Sequence, residues 1–335
     1  MMRAPTAGAV RLPHPRAPRP PSRVPAVRPA GTPAAASVWL PSAPCSPPAC
    51  VPDPGGVAAA PLAALRLAAV LAVTLTGIAL VPVLARTPAG PRDRLVRRWC
   101  RAVVRASGVR VRITGTAAPT GGLLLVANHI SWLDIPLSAA VRPGRMLAKS
   151  EVGRWPVAGG LAARGGTLFI ERDRLRALPH TVARITDALR AGAAVVAFPE
   201  GSTWCGRAQG RFRRAVFQAA LDAGVAVQPV RVRYRLAGGA ATTAPAFVGD
   251  DSLLASLWRV ATARGLVAEV EVRAPLAPGT HTDRRALAQA AQRAVEPCAA
   301  VAPEASGWIA SPRAGVRRLS SDGAPAGRRS PAHGG

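Results

Sequence analysis

The sequence predicts an α/β fold: a largely parallel central sheet flanked by helices, preceded by a helical segment that attaches the chain to a membrane. Three observations lead there. From residue 109 to about 300, short apolar runs alternate with stretches of helical periodicity, the pattern of strands joined by covering helices. One of those runs, "GLLLVAN" at 122–128, is apolar almost throughout, as a strand buried on both faces must be. Upstream, "LAAVLAVTLTGIALVPVLA" from Leu67 to Ala85 carries no charge and is bracketed by Arg66 and Arg86.

Taken in chain order, residues 1–55 are dominated by Pro, Ala and Arg and show no sustained apolar period, so a disordered tail is expected there. Residues 60–108 form the membrane-attaching unit. At about 1.5 Å per residue, the uncharged run reaches the minimum length for a spanning helix. Spanning, embedding in one leaflet and a cleaved signal peptide all fit that length. The distance from the first residue and the length of the run favour attachment over a signal. Arginines on both flanks leave orientation open. In the following "PRDRLVRRWCRAVVRASG", Leu95, Val96, Trp99, Val103 and Val104 recur at helical spacing, with Arg94, Arg97, Arg98, Arg101 and Arg105 filling the other face and Gly108 as a C-terminal stop. Such a helix either lies on an anionic membrane surface or turns its stripe to the core.

The catalytic domain is expected over 109–300. "VRVRITG" reads as a half-exposed strand with Val109, Val111 and Ile113 on one face. "GLLLVAN", "RMLAKS", "GTLFIER", "AAVVAFPEG", "VAVQPVRVRY" and "LVAEVEVRAPL" supply six more strands. Helical patterns fall at about 174–191, 213–223, 251–264 and 282–296. Residues 304–335, rich in Ser, Gly, Pro and Arg, are expected to form a second disordered tail.

Composition narrows the function. The 335 residues carry a net charge of +27, and of the 44 basic residues only Lys149 is a lysine, a compositional bias toward Arg. A basic surface suits anionic headgroups, an anionic substrate or nucleic acid. Aromatic content of 4%, with Tyr234 the only tyrosine, is poor material for base stacking, so no nucleic-acid partner is expected. Cys45, Cys50, Cys100, Cys205 and Cys298 are odd in number and scattered, which indicates neither a metal site nor a disulfide framework. A reducing, cytoplasm-facing compartment is the simpler reading.

The chemistry-bearing residues cluster at strand ends, where α/β sheets place their sites. "NHISWLD" puts Asn128 and His129 at the end of a buried strand and Asp134 five residues after the His. A lone His is more often structural, and an Asp at a helix start is often a cap. The alternative is that the carboxylate fixes the imidazole tautomer, leaving the other ring nitrogen to take a proton.

Four blocks in order resemble the glycerolipid acyltransferases that acylate lysophosphatidic acid: "NHISWLD", "GTLFIER", "FPEG" and "VQPV", covering roughly residues 120–235. The resemblance implies a glycerolipid-acyltransferase-like fold with His129 as general base and Asp134 as its partner. It implies that Gly166, Phe169 and Arg172 belong to the acceptor site, with Arg172 holding a phosphate, and that Phe198, Pro199, Glu200 and Gly201 help to shape it. Asn128 and Lys149 join the expected substrate-binding set, while Pro229 is either structural or on the acyl side. Trp132 and Trp155 are read as core or as lining of an acyl path.

The implied reaction moves a fatty acyl group from acyl-CoA or acyl carrier protein to the sn-2 hydroxyl of 1-acylglycerol-3-phosphate, at the cytoplasmic face of the cell membrane. No metal and no bound cofactor are implied. The chain departs from the family at Thr203, where an Arg is common, and this opens other acceptors, such as a lysophospholipid or lyso-ornithine lipid. Arg207, Arg211, Arg213 and Arg214 follow closely enough to restore positive charge. A non-enzymatic basic membrane-binding module is the remaining alternative.

Overall fold

The computed structural model describes residues 41–52, 57–154, 158–171 and 174–296. Residues 1–40 and 53–55 of the expected first tail, the whole of the second at 304–335, Trp155 and Arg172 lie outside the described residues.

Among the described residues, seven strands form one sheet: β1 (Arg110–Thr114), β2 (Leu123–Ala127), β3 (Arg145–Lys149), β4 (Leu168–Ile170), β5 (Ala194–Ala197), β6 (Ala226–Leu236) and β7 (Leu266–Val272), in the order β1-β7-β6-β2-β5-β3-β4. Each corresponds to one strand expected from the sequence. All neighbours are parallel except β6 and β7, which run antiparallel. The all-apolar β2 is buried at every position and lies between β6 and β5.

Among the described residues there are ten α-helices. The first four are α1 (Pro47–Cys50), α2 (Ala60–Ala79), α3 (Val81–Arg86) and α4 (Ala89–Ala106), and α5 (Asp134–Val141) and α6 (Ala158–Arg164) follow. The last four are α7 (Leu178–Arg190), α8 (Ala215–Ala223), α9 (Leu253–Thr262) and α10 (Arg284–Val295). One core lies between the sheet and α4, α5 and α9, built from Val104, Leu133, Leu137 and Val260 against Leu125, Val196 and Val232. The other lies between the sheet and α7, α8 and α10, with Ile185, Phe217 and Leu287 against Leu124, Val126 and Val195. Local signals end these helices where expected: Asp283 caps α10 by accepting from the backbone N–H groups of Arg285 and Ala286, and Gly224 stops α8 at φ 64°.

The N-terminal unit corrects two expectations. The uncharged run is not one continuous rod, because α2 ends at Ala79 and α3 restarts with Pro82 in its first turn. Helix α2, with a mean hydropathy of 2.0, is long and apolar enough to cross a membrane by length and composition. It is also tied to the end of α9 and to α4. The Arg66 guanidinium donates to the carbonyls of Ala261 and Ala263, and Trp99 Nε1 donates to the Val73 carbonyl. The guanidinium passes close to Gly108, whose φ of 87° is the left-handed conformation that favours glycine. In α4, Cys100, Val103 and Val104 turn to the core while Leu95 stays exposed, so the second half of the stripe is core.

The second correction concerns residues 41–52, the end of the expected tail. Cys45 is buried, and Ala43, Cys50 and Val51 pack with it against the core on the α5 side of the sheet. Apolar side chains spaced one to five residues apart in a Pro-rich stretch seat it, although no regular period announces them.

Candidate active site

The chain leaves β2 at Ala127 and turns back on itself over residues 128–133 before entering α5. Asp134, in the first turn of α5 and fully buried, is the hub of that turn. Its Oδ2 accepts from the backbone N–H of Ile130 at 2.6 Å, from that of Ser131 at 2.8 Å, and from His129 Nδ1 at 2.9 Å. Its Oδ1 accepts from the Tyr234 hydroxyl at 2.6 Å. Four donors on one buried carboxyl satisfy a group that would otherwise be costly to bury. With Nδ1–H committed to Asp134, Nε2 is the ring nitrogen left with a lone pair.

The neighbouring strand holds the other side of the ring. Phe198, just past β5, stacks on the imidazole with centroids 4.0 Å apart and planes 12° apart. Glu200 Oε2 accepts from the His129 backbone N–H at 3.0 Å, and the His129 carbonyl accepts from Trp204 N–H at 2.8 Å. Pro199 accepts from the backbone N–H of Arg213 at 2.8 Å. Gly201 takes φ 75° at a point where a Cβ would lie 2.6 Å from the Pro41 ring, so this turn and the N-terminal segment fit together only around a glycine. The "FPEG" block therefore positions His129.

Glu200 is buried, and burial pushes its carboxyl up to about 8 despite backbone N–H donors from His129 and Gly210, with nearby Asp134 pushing the same way. Its Oε1 is buried with no hydrogen-bond partner among the described residues. A carboxyl with an ordinary value of 4.5 that holds its proton to about 8 in the fold binds more protons when folded than unfolded across that window. Stability should therefore fall as pH rises through it, by at most about 1.4 kcal/mol per pH unit from this group. Glu200→Gln is expected to remove that slope. Urea unfolding of both proteins at pH 5 and pH 8 measures it, and parallel pH dependences would refute it.

His129, its ring 19% exposed, opens onto a cavity of about 530 Å³. Asn128, Glu200, Trp204, Arg207, Arg231, Arg233, Tyr234 and Arg235 are among its walls. Arg231, Arg233 and Arg235 alternate along β6 with Val230, Val232 and Tyr234, which point into the core on the α5 side. Glu269 and Glu271 on β7 pair with these arginines and fix their heads without matching them in number.

The other expected site residues divide. The Asn128 side chain bridges β2 to β6, donating to the Val232 carbonyl at 3.0 Å and accepting from the Val232 N–H at 2.8 Å. It extends the sheet ladder, so its polar atoms are engaged in positioning. Lys149 ends β3 in an exposed position, Gly166 turns the chain after α6 at φ 75°, and Phe169 lies in β4. None of these three lines the cavity, because β5 separates β2 from β3 and β4. Arg172, expected to hold a phosphate, lies outside the described residues. Of the four arginines that follow Thr203, Arg207 reaches the cavity wall. Pro229 is interior to β6, paired with Val126, and not at an edge. Trp132 packs against the core.

Tyr234 was missed as a site residue. Its hydroxyl is pushed well above its ordinary range, first by complete burial and then by the charge of Asp134, so it remains a donor. Its being the single tyrosine, in phase with Val230 and Val232, was the available signal. The reading of scattered cysteines is also corrected, since the sulfurs of Cys45, Cys50 and Cys205 lie within 4.8 Å of one another. Positions 155 residues apart in sequence meet because the N-terminal segment folds onto the loop after β5.

The family model described as Acyltransferase matches residues 109–233, the span that contains this site. A lyso-ornithine lipid O-acyltransferase from Pseudomonas aeruginosa is 41% identical over 206 residues, 61% of this chain and 78% of that protein. The chain belongs to the acyltransferase family. A 1-acyl-sn-glycerol-3-phosphate acyltransferase from Neisseria meningitidis is 35% identical to this acyltransferase over 58% of the chain and 77% of its own length. A Brucella abortus lyso-ornithine lipid O-acyltransferase is 35% identical over 69% and 91%, respectively. Among solved structures, the 1-acyl-sn-glycerophosphate acyltransferase PlsC from Thermotoga maritima matches at a TM-score of 0.50 with 17% identity, covering 69% of this acyltransferase and 92% of that chain. That match supports the fold alone.

Proposed function

We propose that the protein transfers a fatty acyl group from acyl-CoA or acyl carrier protein to the sn-2 hydroxyl of 1-acylglycerol-3-phosphate, giving phosphatidic acid. The observation that carries this reading is His129, tied to Asp134 through Nδ1 and opening on an arginine-lined cavity. Nε2 takes the proton of the acceptor hydroxyl as its oxygen attacks the thioester carbonyl. Asp134, supported by Tyr234, steadies the imidazolium. Collapse of the tetrahedral intermediate expels the thiolate, which recovers the proton from Nε2. The acceptor supplies its own nucleophile, so no Ser or Cys acylation step is needed.

Arg207, Arg231 and Arg235 are the described cations suited to an anionic headgroup at the cavity, and guanidinium forks meet phosphate oxygens in pairs. The resemblance also assigns a phosphate-holding role to Arg172. The exposed leucines Leu65, Leu71 and Leu75 of α2 and Leu254 of α9 support membrane attachment on that side in this reading.

A lyso-ornithine lipid acceptor is the second reading, favoured by Thr203 and by the names of the relatives from Pseudomonas and Brucella. Its headgroup carboxylate would use the same arginines. Mass spectrometry of products from purified protein, labelled acyl-CoA or acyl carrier protein, and an equimolar panel of both acceptors separates them. Labelled phosphatidic acid as the main product is expected. Labelled ornithine lipid alone would replace the first reading with the second.

A further inference from the structure

The N-terminal segment and the loop that follows β5 meet at three thiols that the acyl-transfer chemistry does not use. Cys45 and Cys50 flank and end α1, and Cys205 directly follows Trp204. Their sulfurs all lie within 4.8 Å of one another, with Cys45 and Cys205 buried and Cys50 half-buried. Thiolates about 2.3 Å from a tetrahedral zinc ion are separated by about 3.8 Å, so contraction by at most about an ångström makes this a ligand set.

The turn at the cluster depends on a glycine: Gly206, directly after Cys205, takes φ 88°, a left-handed conformation that other residues rarely adopt.

The seat is also built from the other side. Gly249, at φ 62°, faces the Cys45 carbonyl at a distance that would leave 3.1 Å to a Cβ, and Gly201 meets Pro41 still more closely. The segment 41–52 is thus held closely at Pro41 and at Cys45–Pro47.

We propose that Cys45, Cys50 and Cys205 form a binding site for a thiophilic divalent cation, Zn²⁺, which pins the N-terminal segment to the catalytic loop. Each thiol gives up its proton on ligation, and three thiolates leave a fourth position on the ion. Two residues near the cluster, Pro52 and Arg207, line the cavity, and Trp204 next to Cys205 holds the His129 carbonyl. The ion would therefore hold one wall of the active cavity without touching the reacting atoms.

The test uses the full chain, expressed in zinc-supplemented medium and purified without chelator. Elemental analysis is expected to find one zinc per chain. Cobalt(II) added to protein stripped of metal under reducing conditions is expected to produce the thiolate charge-transfer and visible bands of a tetrahedral site. Chelation is expected to lower Tm, and zinc to restore it. Cys45→Ser and Cys205→Ser should lose the metal, while Cys100→Ser, on α4 and away from the cluster, should keep it. Because the cobalt spectrum is read on the unsubstituted protein, poor folding of the serine variants does not remove the test. Absence of zinc together with absence of a cobalt charge-transfer band overturns the proposal. So does a disulfide joining two of the three cysteines in freshly purified protein, or full zinc content in a Cys45→Ser/Cys205→Ser double variant.

Discussion

His129→Ala is expected to lower turnover by about 10³–10⁴-fold while leaving the fold and the acceptor KM nearly unchanged. The range is the upper part of what a positioned general base contributes. It applies in full because Nδ1 is bound to Asp134, so Nε2 is the ring's one free proton acceptor. The fold should survive because the ring is partly exposed, and the backbone bonds from His129 to Glu200 and Trp204 do not need the side chain. Loss of the stack on Phe198 should cost no more than about 1 kcal/mol. Single-turnover rates with saturating thioester, alongside thermal unfolding, decide the matter. Turnover within tenfold of the parent protein would remove the base from the mechanism.

Asp134→Asn should come second, with kcat reduced by about 10²–10⁴-fold. The amide is nearly the same size as the carboxyl, so the change is one of charge and donor pattern. Oδ2 accepts from three N–H groups at once, and an NH₂ in its place would face three donors and force the wrong imidazole tautomer. With the amide reversed, its oxygen keeps those donors, but the imidazolium formed on proton uptake has no negative neighbour. Either orientation weakens the base. The first also leaves buried N–H groups unmatched, at about 1–3 kcal/mol of stability. A pH profile of kcat beside denaturant unfolding separates the two effects. Parent-like kcat in a folded variant would show that the carboxylate does not support the base.

Much of this protein could be read along its chain. All seven strands were visible because β-branched and aliphatic runs punctuated by Gly and Pro carry their own signal, and the helices between them show the period that a one-sided core demands. The His129–Asp134 pair was legible for the same reason: five residues of turn and helix start bring the two together with no help from the rest of the fold. Other features were visible as residues but not as contacts. Asn128 stood beside His129 in a block associated with chemistry, yet its amide bridges to Val232, a partner 104 positions away.

The sequence by itself determined the parallel α/β framework, the apolar N-terminal helix and the imidazole–carboxylate pair, because each depends on interactions within a few residues or on a local period. Only the tertiary structure decided the rest. It brought the Tyr234 hydroxyl to Asp134, turned "FPEG" toward His129, ranged the β6 arginines around the cavity, moved Lys149 and Phe169 out of its walls, and gathered Cys45, Cys50 and Cys205. Those contacts depend on which strands lie side by side and how a Pro-rich segment folds back. That choice is made by burying both faces of one sheet at once, and no local pattern records it.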